Sequence, residues 1–363
     1  MATGREQDIL RLIRENPLIA QQDIAERCGI TRSSVAVHIS NLMKKGLIQG
    51  KGYILQEEPY AAVVGGANMD IGGRSAAALV PRDSNPGTAT FSPGGVGRNI
   101  AHNLALLGCG VRMVSAFGDD VNGATLAESC RKAGVDITAS PVLAGETTAV
   151  YLYITNEQGE MELAVNDMGI YGKMTPAFLA ARMDTINRAA LCVADTNPPL
   201  ETLEYLAAHC AVPLVVDPVS TVKAQRIKGL LPRVHTLKCN RAEAAVLSGV
   251  AIDGEQTLRA AAQKLMADGV TQMVITMGAE GALCAGPDGI HLLPAYLGVV
   301  ANVTGGGDAF TAALAAGLIA GLTLAEAAQN GLAAGALAVT HRDTIHPGMS
   351  AARVAEIVQK GGL

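Results

Sequence analysis

Asn302-Val303-Thr304-Gly305-Gly306-Gly307-Asp308 is the stretch of this sequence best suited to chemistry. Three glycines ahead of the apolar run 309–322 leave backbone N–H groups free to face an anion. The positive end of a following helix adds to their pull. A carboxylate in the first helical turn can take a proton from an attacking hydroxyl while the N–H groups stabilise a moving phosphoryl group. Gly305, Gly306 and Gly307 are therefore the candidate anion hole, and Asp308 the candidate general base. The same residues would also serve as a glycine-rich turn with Asp308 steadying the helix start.

Two further constellations carry polar chemistry. Gly94-Gly95-Val96-Gly97-Arg98-Asn99 leads into a helical stretch, 100–107, closed by Gly108. Gly94 and Gly95 permit close backbone approach to a ligand, and Asn99 can both donate to and accept from a diol. The run is not GxGxxG, and no acidic residue follows at the dinucleotide spacing. No GxxxxGK[ST] occurs either, which excludes a P-loop enzyme. Asn68-x-Asp70 follows the first strand of the main domain. Its side chains suit sugar hydroxyls, although a plain polar turn reads the same way.

These residues need a scaffold, and the hydrophobic pattern supplies one. From residue 59 onward short apolar runs at 61–64, 111–116, 191–194, 214–216 and 273–276 alternate with helical stretches such as 100–107 and 258–266. Such alternation predicts an α/β fold with a doubly wound, mostly parallel sheet. Residues 147–165 break the rhythm. They read as two strands joined by a polar turn at 156–159, a candidate β lid outside the main sheet, with a further lid strand around 84–93.

Residues 1–58 form a separate unit. Ile9, Leu10, Leu12 and Ile13 make an apolar face before Pro17. A second helix spans 21–28 and stops at Gly29. Thr31 caps a third, in which Val35, Ile39 and Leu42 recur at helical spacing until Gly46. Residues 47–48 and 53–55 flank Gly50-Lys51-Gly52 as a β-hairpin wing. This order resembles a winged helix-turn-helix. Between Thr31 and Lys51 there are four basic residues, Arg32, Lys44, Lys45 and Lys51, and no acidic one. That bias suits DNA, with Arg32, Ser34 and His38 presented to a groove. A solvated helix face in a packing or dimerisation domain is the alternative.

Composition narrows the class. The 363 residues are 49% hydrophobic, enough for a large core, and the net charge of −5 gives no global pull toward nucleic acid or membrane. Seven scattered cysteines without a CxxC pair predict reduced thiols in a cytoplasmic protein. The opening residues lack an apolar signal segment. The run 309–322 falls short of the ~18 residues a membrane span needs. The seven histidines show no metal spacing.

Taken in order over about 300 residues, these motifs resemble the ribokinase (PfkB-type) carbohydrate kinases. The early glycine signature is similar to 94–99, the C-terminal D-T-x-G-A-G-D to 302–308, and N-x-x-E to Asn240-Arg241-Ala242-Glu243. The resemblance implies that Asp308 is the base and that Gly305, Gly306 and Gly307 hold the transferred phosphoryl. It implies that Asn240 and Glu243 place Mg²⁺ and the ATP phosphates through water. Thr276, Gly278 and Gly281 would lie along the nucleotide, with Asn330 near the adenine. Asn68, Asp70, Gly94, Gly95 and Asn99 would hold the sugar. A lid that pairs between subunits implies a homodimer. Asn302 stands where the family has Asp, which puts potassium activation in doubt, and Gly306 replaces an Ala.

Asp83-Ser84-Asn85-Pro86-Gly87, residues 94–108, Ala164-Val165-Asn166-Asp167-Met168, residues 215–220 and 235–241 are similar to bacterial pseudouridine kinases. Those enzymes phosphorylate the 5′-hydroxyl of pseudouridine with ATP. Asn166 would then contact the uracil-like base, or else cap a turn. Another nucleoside or sugar, or a dual role as kinase and transcriptional regulator, fits the same motifs.

Overall fold

The computed structural model describes residues 2–50 and 58–363. The chain divides into two compact units, Met1–Glu58 and Pro59–Leu363.

The smaller unit packs three helices, α1 (Gly4–Glu15), α2 (Gln21–Cys28) and α3 (Arg32–Lys44). Ile9, Ile13, Ile24, Val35 and Leu42 form its fully enclosed centre. Each boundary has a local cause. Thr3 and Glu6 make a reciprocal capping box at α1, Gly29 closes α2 in the left-handed region, and Thr31 accepts the Ser34 N–H at α3. The expected wing falls largely on residues 51–57, outside the described residues.

The larger unit carries fourteen strands. They are β1 (Tyr60–Val64), β2 (Asn68–Ser75), β3 (Gly87–Gly94), β4 (Gly110–Val114), β5 (Phe117–Gly118), β6 (Val142–Leu143), β7 (Val150–Thr155), β8 (Met161–Asp167), β9 (Leu191–Asp195), β10 (Leu214–Asp217), β11 (Thr236–Asn240), β12 (Gln272–Thr276), β13 (Ala282–Gly286) and β14 (Gly289–Leu293). Eight of them form one sheet in the order β14-β13-β12-β11-β10-β9-β1-β4. Its pairs from β4 to β12 are parallel, and β13 and β14 add an antiparallel edge. β1, β9 and β10 are buried along their whole length, as strands covered on both faces must be.

The helices of this unit are α4 (Val96–Leu106), α5 (Val121–Lys132), α6 (Pro176–Ala180), α7 (Met183–Asn187), α8 (Leu200–His209), α9 (Thr221–Ala224), α10 (Arg241–Ser248), α11 (Glu255–Ala267), α12 (Gly306–Ile319), α13 (Leu324–Ala338) and α14 (Ala351–Lys360). They divide the apolar interior into two large clusters. In one, α8 and α11 supply Leu203, Leu206, Leu258 and Leu265 beneath Cys192, Val216 and Leu237 of the sheet. In the other, α4, α12 and α13 supply Ile100, Leu104, Ala312 and Leu337 against Val63, Val193 and Val215. Alternate residues of β1 and β9 thus face opposite clusters, which sets the register of the sheet.

A second sheet, β3-β2-β7-β8, stands outside this body. It is the expected lid, but its make-up differs from the sequence reading. Asn68 and Asp70 are not in a turn after β1. They open β2, a lid strand that the alternation pattern missed because Gly72 and Gly73 interrupt it. The helix after Gly305 starts at Gly306, which takes Asp308 into its first turn as expected, and it ends at Ile319 rather than at residue 322, before Gly321 turns the chain.

Candidate active site

The parallel strands end in polar residues on one edge of the sheet. Asp195 closes β9, Asp217 closes β10, Asn240 closes β11 and Thr276 closes β12. Ligands of open α/β sheets bind outside these carboxyl ends.

Two helices start close together here. α4 begins after Gly95, whose φ of +95° and position against Gly66 O (a Cβ would stand 2.5 Å from it) admit no side chain. α12 begins after Gly305, at φ +83°. The first N–H groups of a helix have no intrahelical partner. Those of Gly306, Gly307 and Asp308 make no backbone hydrogen bond among the described residues. Asn99 on α4 donates from Nδ2 to Asp308 Oδ2 at 2.8 Å, so the two motifs, 209 positions apart, meet.

Asp308 keeps some exposure, yet protein surrounds its carboxyl. Burial and the negative charge of Asp217 push its pKa up to about 7, against the pull of Asn99 and Lys238. A carboxyl tuned to that value is a proton acceptor near neutral pH.

Behind the glycine loop lies a buried ion pair absent from the sequence reading. Lys238 Nζ stands 3.0 Å from Asp217 Oδ2, and Thr311 Oγ1 of α12 donates to the same oxygen at 2.8 Å. Burial alone would lower the Lys238 pKa; the Asp217 carboxylate outweighs it and holds the ammonium charged. A Cβ on Gly307 would lie 3.1 Å from that ammonium. A fixed positive charge therefore backs the candidate anion hole. The available signal was a lysine inside an otherwise apolar strand, Thr236-Leu237-Lys238-Cys239.

Asp195 was missed as well. Its Oδ2 accepts the N–H groups of Gly66 and Gly97, each at 2.8 Å, and Asn197 N–H at 2.8 Å reaches Oδ1. It pins the β1–β2 turn to the start of α4. Burial raises its pKa. Asn197 in turn accepts from Lys223 Nζ.

Of the residues expected to hold the sugar, Asn68 Nδ2 donates to Asp70 Oδ1 at 2.6 Å, and burial raises the Asp70 pKa. Gly94 is the direct partner of Asn68 across β2 and β3, and a Cβ there would collide with Asp70 Oδ2. Arg98, also buried, donates to Pro93 O at 2.6 Å and faces His102 Nδ1 at 3.1 Å. Burial and the charge of Arg98 drop the His102 pKa to about 4. Asn166 lies on β8 in the row of Tyr151 and Asp70, so it belongs to the lid and does not cap a turn.

Of the residues expected near the nucleotide, Asn240 and Glu243 form a reciprocal capping box at α10, with both bonds at 2.9 Å. Burial raises the Glu243 pKa. Thr276 Oγ1 donates to Cys239 O at 3.3 Å. Gly278 and Gly281 flank a single turn after β12 with φ of +60° and +93°. Asn330, part-exposed on α13, stands apart from this hydrogen-bond network. Among the described residues no three acidic, His or Cys groups converge to hold a metal.

In the smaller unit Arg32 and Lys44 are exposed, while Lys45 lies 2.7 Å from Glu6 Oε2. That bond to Lys45, followed by the Thr3 N–H, holds the Glu6 pKa at about 2. Lys45 is therefore engaged within the unit, and Lys51 lies outside the described residues.

Comparison with known proteins gives consistent results for both units. Residues 58–352 match the pfkB family of carbohydrate kinases, and residues 4–49 match a winged helix-turn-helix DNA-binding family. An uncharacterized sugar kinase of Escherichia coli (strain K12), YeiI, is 39% identical over 98% of this chain and 99% of its own length. The pseudouridine kinase of the same organism is 38% identical over 84% of this chain and 98% of its own. A carbohydrate kinase from Agrobacterium tumefaciens superposes with a TM-score of 0.74 at 31% identity, covering 83% of this chain and 97% of that one.

Proposed function

Because the chain belongs to the pfkB family of carbohydrate kinases and carries an N-terminal winged helix-turn-helix, we propose that it transfers the γ-phosphoryl of ATP to the 5′-hydroxyl of pseudouridine. The observation that carries the reading is the meeting of Asn99 and Asp308 between two helix N-termini, with the Asp308 pKa near 7.

In this reading Asn68, Asp70 and the Gly94–Gly95 backbone hold the sugar hydroxyls, and Asn99 steadies the base. Asp308 takes the proton of the attacking hydroxyl as the oxygen closes on phosphorus. The N–H groups of Gly305, Gly306 and Gly307, backed by Lys238, stabilise the charge on the transferring group. Thr276, Gly278 and Gly281 line the nucleotide, and Asn240 borders its phosphates. Asn330 is the residue for the adenine end. Asn166 faces the base of the nucleoside.

Magnesium fits what is present. Glu243 offers one buried carboxylate, and Mg²⁺ commonly takes one or two carboxylates, with water and nucleotide phosphates completing its shell. Bound there through water, the ion would neutralise charge on those phosphates. Potassium is not required in this reading. Asn302 Nδ2 donates to Arg342 O at 2.9 Å, so an amide donor stands here in place of a carboxylate that could attract a cation. Replacing potassium by tetramethylammonium should leave the rate unchanged.

The outer face of the lid exposes Phe91, Leu152, Leu163 and Val165, which suits the lid of a second copy. Light scattering should return a homodimer. No helix among the described residues is long and apolar enough to cross a membrane, and we place the enzyme in the cytoplasm.

The test is a substrate panel in a coupled ADP-release assay. Pseudouridine should give the highest kcat/KM. Preference for inosine, cytidine or ribose would overturn the substrate and leave the kinase standing.

A further inference from the structure

The lid sheet has two different faces. The outer one is apolar. The inner one is read from strand register, because directly paired residues share a face. Ser92, Asp70, Tyr151 and Asn166 are neighbours in one row across β3, β2, β7 and β8. The next row toward the lid tip is Thr90, Gly72, Tyr153 and Ala164.

Two tyrosines therefore stand beside the sugar-binding Asp70, and the sequence leaves room for their rings. A Cβ on Gly72 would come within 2.6 Å of Cζ and Oη of Tyr153, so that ring reaches across β2 over bare backbone. Ala164 keeps the other flank low. Tyr151 Oη lies 3.6 Å from Met161 Sδ, so this ring also leans toward the tip. The ring centroids are 5.8 Å apart at a tilt of 34°. Both tyrosines keep partial exposure, and Asn166 is exposed with no side-chain hydrogen bond among the described residues.

The shape of a pentose joins these groups to a ligand. With its 5′-carbon at Asp308 and its ring hydroxyls at Asn68 and Asp70, its anomeric carbon lies across the ring oxygen from C4′, the carbon that bears the 5′-carbon. A substituent there extends away from Asp308, under the inner face of the lid. Aromatic faces beside a lone amide match a planar base: the rings stack on its face and the amide pairs with its edge. Free ribose would leave the rings and the amide unused.

We propose that Tyr151 and Tyr153 form a stacking platform for the base and that, with Asn166, they make the site select a nucleoside over a free sugar. This rests on the reading of the acceptor as a pseudouridine-type nucleoside. The experiment is calorimetric titration with pseudouridine and with D-ribose, each in the presence of Mg²⁺ and a non-hydrolysable ATP analogue. Wild type is compared with Tyr151→Leu, Tyr153→Leu and the corresponding Phe variants. Each Leu variant should weaken pseudouridine by about tenfold or more, the cost of losing one base–aromatic stack. Each Phe variant should keep wild-type affinity, since the ring face remains. Leu variants that bind pseudouridine as wild type does would overturn the platform and leave the substrate reading intact. So would Leu variants that weaken ribose and pseudouridine equally, because the tyrosines would then only support the lid. A wild type that binds ribose but not pseudouridine would sink both the substrate reading and the platform, before any substitution is considered.

Discussion

The raised pKa that would make Asp308 the proposed base comes at a cost in stability, and the two effects have opposite signs with pH. A carboxyl unperturbed in the unfolded chain titrates at about 3.9. Here burial and Asp217 push it up to about 7. The base works only as the carboxylate, so kcat/KM should rise as pH climbs through about 7 and level off above it. A profile already flat at pH 5 would contradict the assignment. The folded state holds a proton that the unfolded state releases, so this group destabilises the fold progressively between those two pKa values. Asp308→Asn should therefore lose roughly 10²–10⁴ in kcat. The same variant should melt higher than wild type at pH 8, by the equivalent of about 1–2 kcal/mol after allowing for partial exposure. Circular dichroism melts at pH 5 and pH 8 would check it, because the gain should shrink at the lower pH. A variant that loses both activity and stability would indicate a structural residue.

At the scale of elements, the site depends on close backbone approach, and Gly94 tests this. The residue sits opposite Asn68 in the β2–β3 pair, where a Cβ would collide with the Asp70 carboxylate. Gly94→Ala must move Asp70, and Asp70 cannot move without breaking its 2.6 Å bond to Asn68. We expect the sugar KM to rise on the order of tenfold, about one hydrogen bond to a charged group. The KM for ATP should hold, since the residues proposed for the nucleotide lie on β11, β12, the turn after them and α13. Equal rises in both would mean that the lid, not Asp70, had been disturbed. The same elements explain what the sequence could and could not reveal. Gly95 and Gly305 announce their turns because only glycine tolerates those backbone angles beside a helix start. The apolar strands announce themselves because burial on both faces removes polar residues. Asp195, Asp217 and Lys238 gave no such signal. Each is one polar residue in a buried strand, and its importance lies in partners 21 to 129 positions away. β2 stayed hidden for a related reason: Gly72, needed to seat Tyr153, breaks the alternation that marks a strand.

The whole molecule joins two units with separate cores, and this separation makes its double character testable. The residues proposed for catalysis, sugar and nucleotide all lie in Pro59–Leu363. The Escherichia coli pseudouridine kinase is matched over 98% of its own length by 84% of this chain, about the share this unit takes. A kinase of that size thus has no need of the first unit. Residues 59–363 expressed alone should keep kcat/KM within about threefold of the full chain, as expected of domains with their own cores. Inactivity of that piece would make the first unit part of the enzyme. The smaller unit is matched by a DNA-binding family, yet its α3 offers little charge. Arg32 and Lys44 are exposed, while Lys45 is engaged with Glu6. Few phosphate contacts mean weak binding with a shallow salt dependence. Two copies with about two contacts each give a log–log slope near −4, far below that of large repressors. Fluorescence anisotropy with DNA from upstream of the coding sequence should show binding at ~50 mM salt and a loss of about 10²-fold by ~200 mM. Arg32→Ala should weaken binding and flatten the slope further, and deletion of residues 1–58 should abolish binding. Anisotropy that stays flat at low salt would rule out DNA as the partner and leave the three-helix unit a packing module.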